Sequence, residues 1–176
     1  SHPLYRTLEQ KIELIYEEPV IIAKNSTLAH MAVIPQAISN NDVVILDHQV
    51  HWSVQTACQV LKRRGVPVLL IRHNNMEQLE DYLVKYKDKH QKIWYMADGI
   101  YSMYGDHAPI DKLKQLIKKY PCLHIYFDDV HGMSWIGKRG AGFVKSHWSI
   151  IPVNMVLIST LSKTFGASGA TIICGD

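Results

Sequence analysis

The sequence has little cysteine, no long apolar run and only a small excess of positive charge. Its three cysteines, Cys58, Cys122 and Cys174, are odd in number, far apart and without metal-ligand spacing, which indicates a reducing compartment. No apolar stretch approaches the roughly 20 residues of a membrane-spanning helix. The formal net charge of +3 comes from scattered basic residues, which is not typical of a nucleic-acid surface. We therefore expect a cytoplasmic protein with no membrane span and no nucleic-acid partner.

The rest of the composition is that of an ordinary globular domain. The 176 residues are 47% hydrophobic and 20% charged, which is enough for one domain with a sizeable core. No repeat, low-complexity tract or linker divides them. Because the first residues lead straight into a helical pattern and the last follow an apolar run directly, we expect the chain to be part of a longer protein.

Seven apolar, β-branched runs alternate with helical patterns. Most runs are continuous rather than alternating, which is typical of strands covered on both faces. Helices are predicted over 28–38, 53–64 and 77–88, and a fourth is predicted to have Asp111 as its N-cap. This alternation predicts an α/β domain with a mainly parallel sheet and right-handed crossovers. The predicted strands are 20–23, 43–46, 68–71, 93–97, 123–127, 155–158 and 171–174.

Ionisable side chains follow the fifth and sixth strands, where ligands of such sheets bind. Lys163 lies among hydroxyls, and a lysine there can form a Schiff base with an aldehyde cofactor when burial and neighbours lower its pKa. A buried Asp128 carboxylate needs a partner such as a protonated pyridine nitrogen, and His131 could assist proton transfer. The structural alternatives are a helix N-cap for Asp128 and a carbonyl-bound loop histidine for His131. A zinc site of His124, Asp128 and His131 is a weaker alternative.

Other polar residues at strand ends have both a functional and a structural interpretation. His51 could stack on an aromatic cofactor or pack on its neighbour Trp52. Ser102 could donate a hydrogen bond to a phenolic oxygen, although a lone loop serine usually has no catalytic role. The backbone at Ser26 and Thr27 could bind a phosphate at a helix start, or these residues could simply cap that helix.

Three motifs occur in an order and spacing that resemble the α-oxoamine synthases. They are 98–110, which reads Asp-Gly-Ile-Tyr-Ser-Met-Tyr-Gly-Asp-His-Ala-Pro-Ile, 128–132, which reads Asp-Asp-Val-His-Gly, and 159–166, which reads Ser-Thr-Leu-Ser-Lys-Thr-Phe-Gly. These pyridoxal-phosphate (PLP) enzymes include 8-amino-7-oxononanoate synthase and 2-amino-3-ketobutyrate CoA ligase. The similarity covers essentially the whole chain.

The resemblance assigns roles to individual residues. Lys163 is implied as the Schiff-base lysine and later acid–base group, Asp128 as the pyridinium partner, and His131 as a neighbour of the phenolic oxygen. The residues implied to bind PLP are Lys163, Asp128, His131, Ser102 near the phenolic oxygen, His51 stacked on the ring, and Thr160, Ser26 and Thr27 at the phosphate. No metal is implied.

The implied fold is the three-layer α/β/α large domain of fold type I PLP-dependent transferases. Its seven-stranded sheet is mostly parallel, with strand 171–174 antiparallel. Residues 1–176 would be this PLP-binding domain, and the small domain and the substrate-carboxylate arginine would follow residue 176. The implied activity is decarboxylative condensation of an amino acid with an acyl-CoA by a homodimer.

The sequence departs from the family pattern at two places and resembles one branch of the family at a third. Asn25-Ser26-Thr27 stands where the family has Ser-Gly-Phe or Ser-Cys-Phe, and Val130 stands where it has Ala. His73-Asn74-Asn75 resembles the branch that makes quorum-sensing autoinducers.

Three competing functions remain open at this point. An aminotransferase or carbon–carbon lyase of the same fold would use the same cofactor residues. A non-catalytic partner subunit is disfavoured by the presence of Lys163, and a metal-dependent hydrolase would need the zinc site.

Overall fold

A computed structural model describes residues 2–175, so Ser1 and Asp176, the two ends of the predicted domain, lie outside the described residues. Its single sheet has the strand order β1-β7-β6-β5-β4-β2-β3. Strand β7 is antiparallel to both of its neighbours, and the other pairs are parallel. The strands are β1 Ile21–Ala23, β2 Val43–Asp47, β3 Val68–Ile71, β4 Ile93–Asp98, β5 Leu123–Asp128, β6 Met155–Thr160 and β7 Ala170–Cys174. The predicted α/β class, with one antiparallel strand of seven, is confirmed.

Five α-helices cover the two faces of this sheet. The helices are α1 Pro3–Tyr16, α2 Ser26–Ala37, α3 Trp52–Arg63, α4 Met76–Tyr86 and α5 Ile110–Lys119. Helices α1, α4 and α5 contribute to one buried apolar cluster, and α2 and α3 contribute to a second. Along β2, Val43 and Ile45 belong to the first cluster and Val44 and Leu46 to the second, as the two-residue period of a strand requires. Burial on both faces explains why the strand sequences are continuously apolar.

Two predicted helix caps are wrong. Asn25 is the N-cap of α2, and its side chain accepts the Leu28 amide hydrogen at 2.8 Å, so neither Ser26 nor Thr27 caps this helix. Asp111 is the second residue of α5 rather than its N-cap, because the helix begins at Ile110. A carboxylate in the first turn still interacts favourably with the helix dipole. Within residues 2–175, no helix has both the length and the apolar character needed to cross a membrane.

Four strands extend beyond their predicted ends, to Asp47, Asp98, Asp128 and Thr160. Asp98 and Asp128 face each other in the β4–β5 ladder, and Thr160 faces Ala170 in the β6–β7 ladder. Backbone pairing with the neighbouring strand therefore continues through these polar residues. As a result, they are held by the sheet rather than by flexible loops.

Candidate active site

The carboxyl ends of β4, β5 and β6 meet at one edge of the sheet. Asp98 pairs with Asp128, and Asp128 pairs with Ile158 on β6. Strand β6 ends two residues later at Thr160, and Lys163 follows in the connection to β7. The topology therefore brings Asp128 and the Lys163 segment to one edge, as predicted, and adds Asp98 to them.

Asp128 is 2% exposed and bonds to a histidine that the sequence analysis missed. Its Oδ2 lies 2.9 Å from Nε2 of His30, and Nδ1 of His30 lies 2.8 Å from the Tyr126 hydroxyl. His30 is fully buried on α2. The sequence of α2 is apolar on all sides, so its pattern of residues does not show whether His30 points into the core or toward solvent. No helix begins directly after Asp128, so its N-cap alternative is wrong.

Two more carboxylates, Asp98 and Asp129, are buried beside Asp128. Burial and then the charge of Asp128 raise the pKa of Asp98 to about 8, although its Oδ1 accepts the His51 amide hydrogen at 3.0 Å. Burial also raises the pKa of Asp129 to about 8. Its Oδ2 accepts the Val144 amide hydrogen at 2.8 Å, and its buried Oδ1 has no hydrogen-bond partner among the described atoms. This edge of the sheet therefore concentrates carboxyl groups in a poorly solvated region, where the raised pKa values favour the protonated forms of Asp98 and Asp129 at neutral pH.

Two half-buried histidines and Lys163 face these carboxylates. Burial lowers the pKa of His131, and the charge of Lys163 lowers it further, whereas Asp128 opposes the shift. Burial likewise lowers the pKa of His51. The charge of Asp128 opposes this shift, whereas the charge of Lys163 adds to it. Lys163 is thus close enough to influence both rings, which favour the neutral form at neutral pH. Lys163 itself is exposed, because residues 162–168 form an exposed connection between β6 and β7.

His51 and Ser102 line a common cavity of about 330 Å³ with Asp98. His51 is the N-cap of α3, and its Nδ1 lies 2.6 Å from the Ser53 hydroxyl. Its ring is tilted 45° against Trp52 at a centroid distance of 5.6 Å, so the packing predicted as the structural alternative is present. His51 is half-buried, and it lines the cavity together with Trp52. A wider opening of about 920 Å³ between α1, β1 and β7 contains none of the predicted site residues.

The predicted phosphate residues lie at neighbouring strand ends. Thr160 pairs with Ala170, which in turn pairs with Ala23 just before α2, so Ser26 and Thr27 begin their helix close to the end of β6. The Thr160 hydroxyl donates to the Gly169 carbonyl at 3.1 Å, and its oxygen accepts the Ser162 amide hydrogen at 3.2 Å. The first amides of α2 other than the one bonded by Asn25 point toward this edge, as helix geometry requires.

The zinc alternative does not fit the strand geometry. His124 and Asp128 are separated by four residues of extended β5, which corresponds to about 13 Å. Nδ1 of His124 also lies 3.1 Å from the Cys122 carbonyl, and its ring packs on Trp94. One metal ion cannot contact side chains so far apart.

A second, partly buried network holds the loop that carries Ser102. His73 bridges two carboxylates, with Nδ1 2.9 Å from Asp47 and Nε2 2.9 Å from Asp106. Burial lowers the pKa of His73, but the hydrogen bonds to both carboxylates outweigh that effect and raise it overall. His73 also stacks on Tyr104 at 5.3 Å. The His73-Asn74-Asn75 motif therefore has a structural role that the sequence analysis did not predict.

Comparisons with known proteins agree with the motifs. Residues 4–176 match the family described as "Aminotransferase class I and II". An 8-amino-7-oxononanoate synthase of Thermoanaerobacter pseudethanolicus is 31% identical over 170 residues, which cover 96% of this chain and 42% of that protein. The chain spans less than half the length of such curated relatives.

Solved structures show the same fold. The serine palmitoyltransferase of Sphingomonas wittichii has a TM-score of 0.86 and 23% identity over 99% of this chain and 43% of that one. A structure of SPT with its PLP internal aldimine has a TM-score of 0.82 and 24% identity over 97% of this chain and 42% of that one. The predicted resemblance is confirmed, and the chain belongs to the aminotransferase class I and II family.

Proposed function

We propose that this chain is the PLP-binding large domain of an α-oxoamine synthase. Such an enzyme is an acyltransferase that condenses an amino acid with an acyl-CoA and releases carbon dioxide. The observation that carries the proposal is the buried Asp128 carboxylate, which shares one sheet edge with Lys163, His51 and His131. The 8-amino-7-oxononanoate synthase and the PLP-containing SPT structure support it.

The donor set around Asp128 fits a pyridinium ring. Oδ2 is bonded to His30, whereas Oδ1 has only a long hydrogen bond of 3.3 Å from the Val130 amide. Among residues 2–175, no lysine or arginine forms an ion pair with Asp128. A buried carboxylate of this kind is stabilised by a cationic N–H donor, and the protonated nitrogen of PLP is one. When bound, PLP supplies an electron sink for the carbanion at the substrate Cα.

The side chains of this domain then have distinct tasks. Lys163 holds the cofactor through its amine and, once released, moves a proton at the substrate Cα, which requires the accessibility that it has. Asp128 would hold a proton on the pyridine nitrogen of the bound cofactor. Neutral His131 and Ser102 would bind its phenolic oxygen, and His51 would pack against its ring. The phosphate residues of the same proposal are Thr160, Ser26 and Thr27.

The proposal also covers the assembly and the location of the protein. Exposed aromatic side chains near this edge, Trp52, Tyr104, Trp135 and Phe165, are compatible with a homodimer that covers them. The free thiols of Cys58 and Cys122 suit a reducing cytoplasm. The small domain that would complete the substrate site belongs to the same proposal.

Borohydride reduction of the full-length protein with PLP tests the cofactor assignment. Reduction fixes the cofactor to the lysine that holds it, and mass spectrometry of peptides then locates the added mass. We expect the label on the peptide that contains Lys163 and its loss in Lys163→Ala. The control is Lys138→Ala, which removes an exposed lysine paired with Glu17 and should leave the label in place. A label on another lysine, or none, contradicts the assignment.

A second assay separates the synthase from an aminotransferase of the same family. The full-length protein is supplied with amino acids and acyl-CoA thioesters, and free thiol is measured. The synthase releases thiol only when both substrates are present. Amino-group transfer to an oxo acid without any thiol release would assign the protein to the aminotransferases instead.

A further inference from the structure

A continuous buried hydrogen-bond chain connects Tyr126, His30 and Asp128. The distances are 2.8 Å from the Tyr126 hydroxyl to Nδ1 of His30 and 2.9 Å from Nε2 of His30 to Oδ2 of Asp128. Tyr126 and His30 are fully buried, and Asp128 is 2% exposed. The groups come from two layers of the fold, because His30 lies on α2 and the other two lie on β5. Solvent therefore does not compete for either hydrogen bond.

The chemistry of the two end groups determines the state of His30. Burial raises the pKa of Tyr126 well above its ordinary value, so its hydroxyl keeps its proton and can donate it to Nδ1. An ionised Asp128 carboxylate can only accept. Nε2 of His30 must therefore carry the hydrogen that is donated to Asp128. In this arrangement, Tyr126 fixes the tautomer of His30, and His30 in turn fixes one oxygen of Asp128.

This chain of bonds affects Asp128 in two ways. A hydrogen bond to a carboxylate favours its ionised form, so the His30 donor opposes the effect of the buried, low-dielectric surroundings on Asp128. Engagement of Oδ2 also restricts rotation of the side chain. The other oxygen, Oδ1, has only the long bond of 3.3 Å from the Val130 amide and is left for a further donor.

Helix α2 brings His30 and the predicted phosphate residues together. Ser26 begins the helix, and His30 follows four residues later, so both lie on the same helix face one turn apart. A single rigid element thus connects the proposed phosphate end of the site to the carboxylate at its ring end. This placement links His30 to cofactor binding as well as to the core.

We propose that His30, with its tautomer fixed by Tyr126, is a positioning residue that holds Asp128 ionised and leaves Oδ1 for the pyridine nitrogen. The proposal rests on the PLP-binding function proposed above. Without the His30 donor, Oδ2 of Asp128 loses its hydrogen bond, and the carboxylate draws the proton of the ring nitrogen more strongly toward itself. His30 then acts through Asp128 and does not need to touch the cofactor.

The test is NMR of the ring nitrogen of isotope-labelled PLP bound to the full-length protein, together with the PLP dissociation constant. In His30→Leu we expect the nitrogen signal to move toward that of unprotonated pyridine, with binding weakened about 10-fold, the equivalent of ~1.4 kcal/mol. In His30→Gln we expect a signal close to wild type, because the amide can still donate to Asp128. In Tyr126→Phe we expect a smaller change in the same direction as His30→Leu.

Several outcomes overturn the proposal. A His30→Leu protein with a wild-type nitrogen signal but lower thermal stability would make His30 a purely structural residue. If His30→Leu does not fold, Tyr126→Phe and His30→Gln decide, and an unchanged signal in Tyr126→Phe or a lost one in His30→Gln rejects it. A wild-type protein that binds no PLP rejects the proposed function itself, and this inference with it. This result can be told apart from the others because it is seen in the wild-type protein, before any variant is compared.

Discussion

Asp128 and Asp129 are consecutive, both are buried at the end of β5, and their surroundings differ completely. Asp128 bonds to the imidazole of His30 and lies near Lys163 and two further histidines. Asp129 lies among glycines and accepts only backbone hydrogens. A Cβ on Gly99, Gly132 or Gly142 would come within 2.3, 2.4 and 2.5 Å of its carboxylate oxygens.

The difference follows from the geometry of a strand end. Successive side chains point to opposite faces, so Asp128 faces α2 and Asp129 faces the connection that contains Val144. The glycines exist on that side because the carboxylate leaves no room for side chains. Burial alone therefore does not identify a functional carboxylate. The chemical groups around the two carboxylates do differ, and that difference is the basis of our proposal that Asp128 binds the cofactor and that Asp129 is structural.

The largest expected effect on stability comes from filling the space beside Asp129. The Cβ of Gly132→Ala would lie 2.4 Å from Oδ1 of Asp129 and 2.5 Å from the Phe143 nitrogen. Because backbone must move, we expect the free energy of unfolding to fall by about 3 kcal/mol in chemical denaturation. Gly65→Ala is the control, with φ +80° and no atom within 4 Å of the new Cβ, and should cost only about 1 kcal/mol. Equal costs would contradict a crowded Asp129 site.

The next effect is a pH dependence that belongs to Asp129. Its pKa of about 8 lies above the ordinary value, so the folded state binds more protons than the unfolded state between about pH 4 and pH 8. The stability contributed by the protonated group is present below that range and is lost as the pH rises through it. Relative to Asp129→Asn, wild type should therefore lose about 2 kcal/mol of stability from pH 6 to pH 8, since one pH unit within this range is equivalent to up to about 1.4 kcal/mol.

Denaturation of both proteins across this pH range measures the difference. Asp98, whose pKa is also raised to about 8, is present in both proteins, so most of its contribution cancels. A stability difference that does not vary from pH 6 to pH 8 would show that Asp129 is already ionised in the folded protein at pH 6.

A smaller loss of stability is expected when the hydrogen-bond chain that ends at Asp128 is weakened. Tyr126→Phe removes one buried hydrogen bond to His30 without changing the shape of the ring. We expect the free energy of unfolding to fall by about 1 kcal/mol, the usual contribution of such a bond. Denaturation at neutral pH measures it. A loss of much less than this would mean that the Tyr126 hydroxyl does not stabilise His30.

The smallest effect on stability is expected at Lys163. Its side chain is exposed, so Lys163→Ala should change the free energy of unfolding by no more than about 0.5 kcal/mol. The same substitution should abolish covalent PLP attachment. Thermal denaturation and borohydride labelling of one preparation give both values. A strongly destabilised Lys163→Ala protein would contradict the assignment of this lysine to chemistry alone.

The fold could be predicted from the sequence because its signals are local. Continuous apolar runs located all seven strands to within two residues of their ends. The carboxyl ends of the strands that end in aspartate were predicted too early, because a carboxylate after an apolar run usually indicates the start of a loop. In the structure, the backbone of Asp98 pairs with that of Asp128, so both residues remain in their strands. Motif spacing likewise placed Lys163 and Asp128 at one edge.

The missed features depend on contacts between distant parts of the chain. His30 is 98 residues away from Asp128 in sequence, and only packing of α2 on the sheet brings them together. The crowded surroundings of Asp129 are formed by Gly99, Gly132 and Gly142, which lie far enough apart in sequence that no local pattern connects them. Asp111 was predicted as the N-cap of α5 because its side chain can cap a helix. The N-cap position is instead occupied by Pro109, whose side chain cannot form a capping hydrogen bond.

The central claim is that Asp128, and not its equally buried neighbour Asp129, is the partner of the cofactor ring. The most direct measurement is the PLP dissociation constant of full-length Asp128→Asn and Asp129→Asn beside wild type. Loss of a buried ion-pair partner costs about 3 kcal/mol or more, so Asp128→Asn should weaken binding by about 100-fold or more. Asp129→Asn should weaken it by less than about 3-fold, or ~0.7 kcal/mol. Wild-type affinity in Asp128→Asn, or equal losses in both variants, would contradict the account.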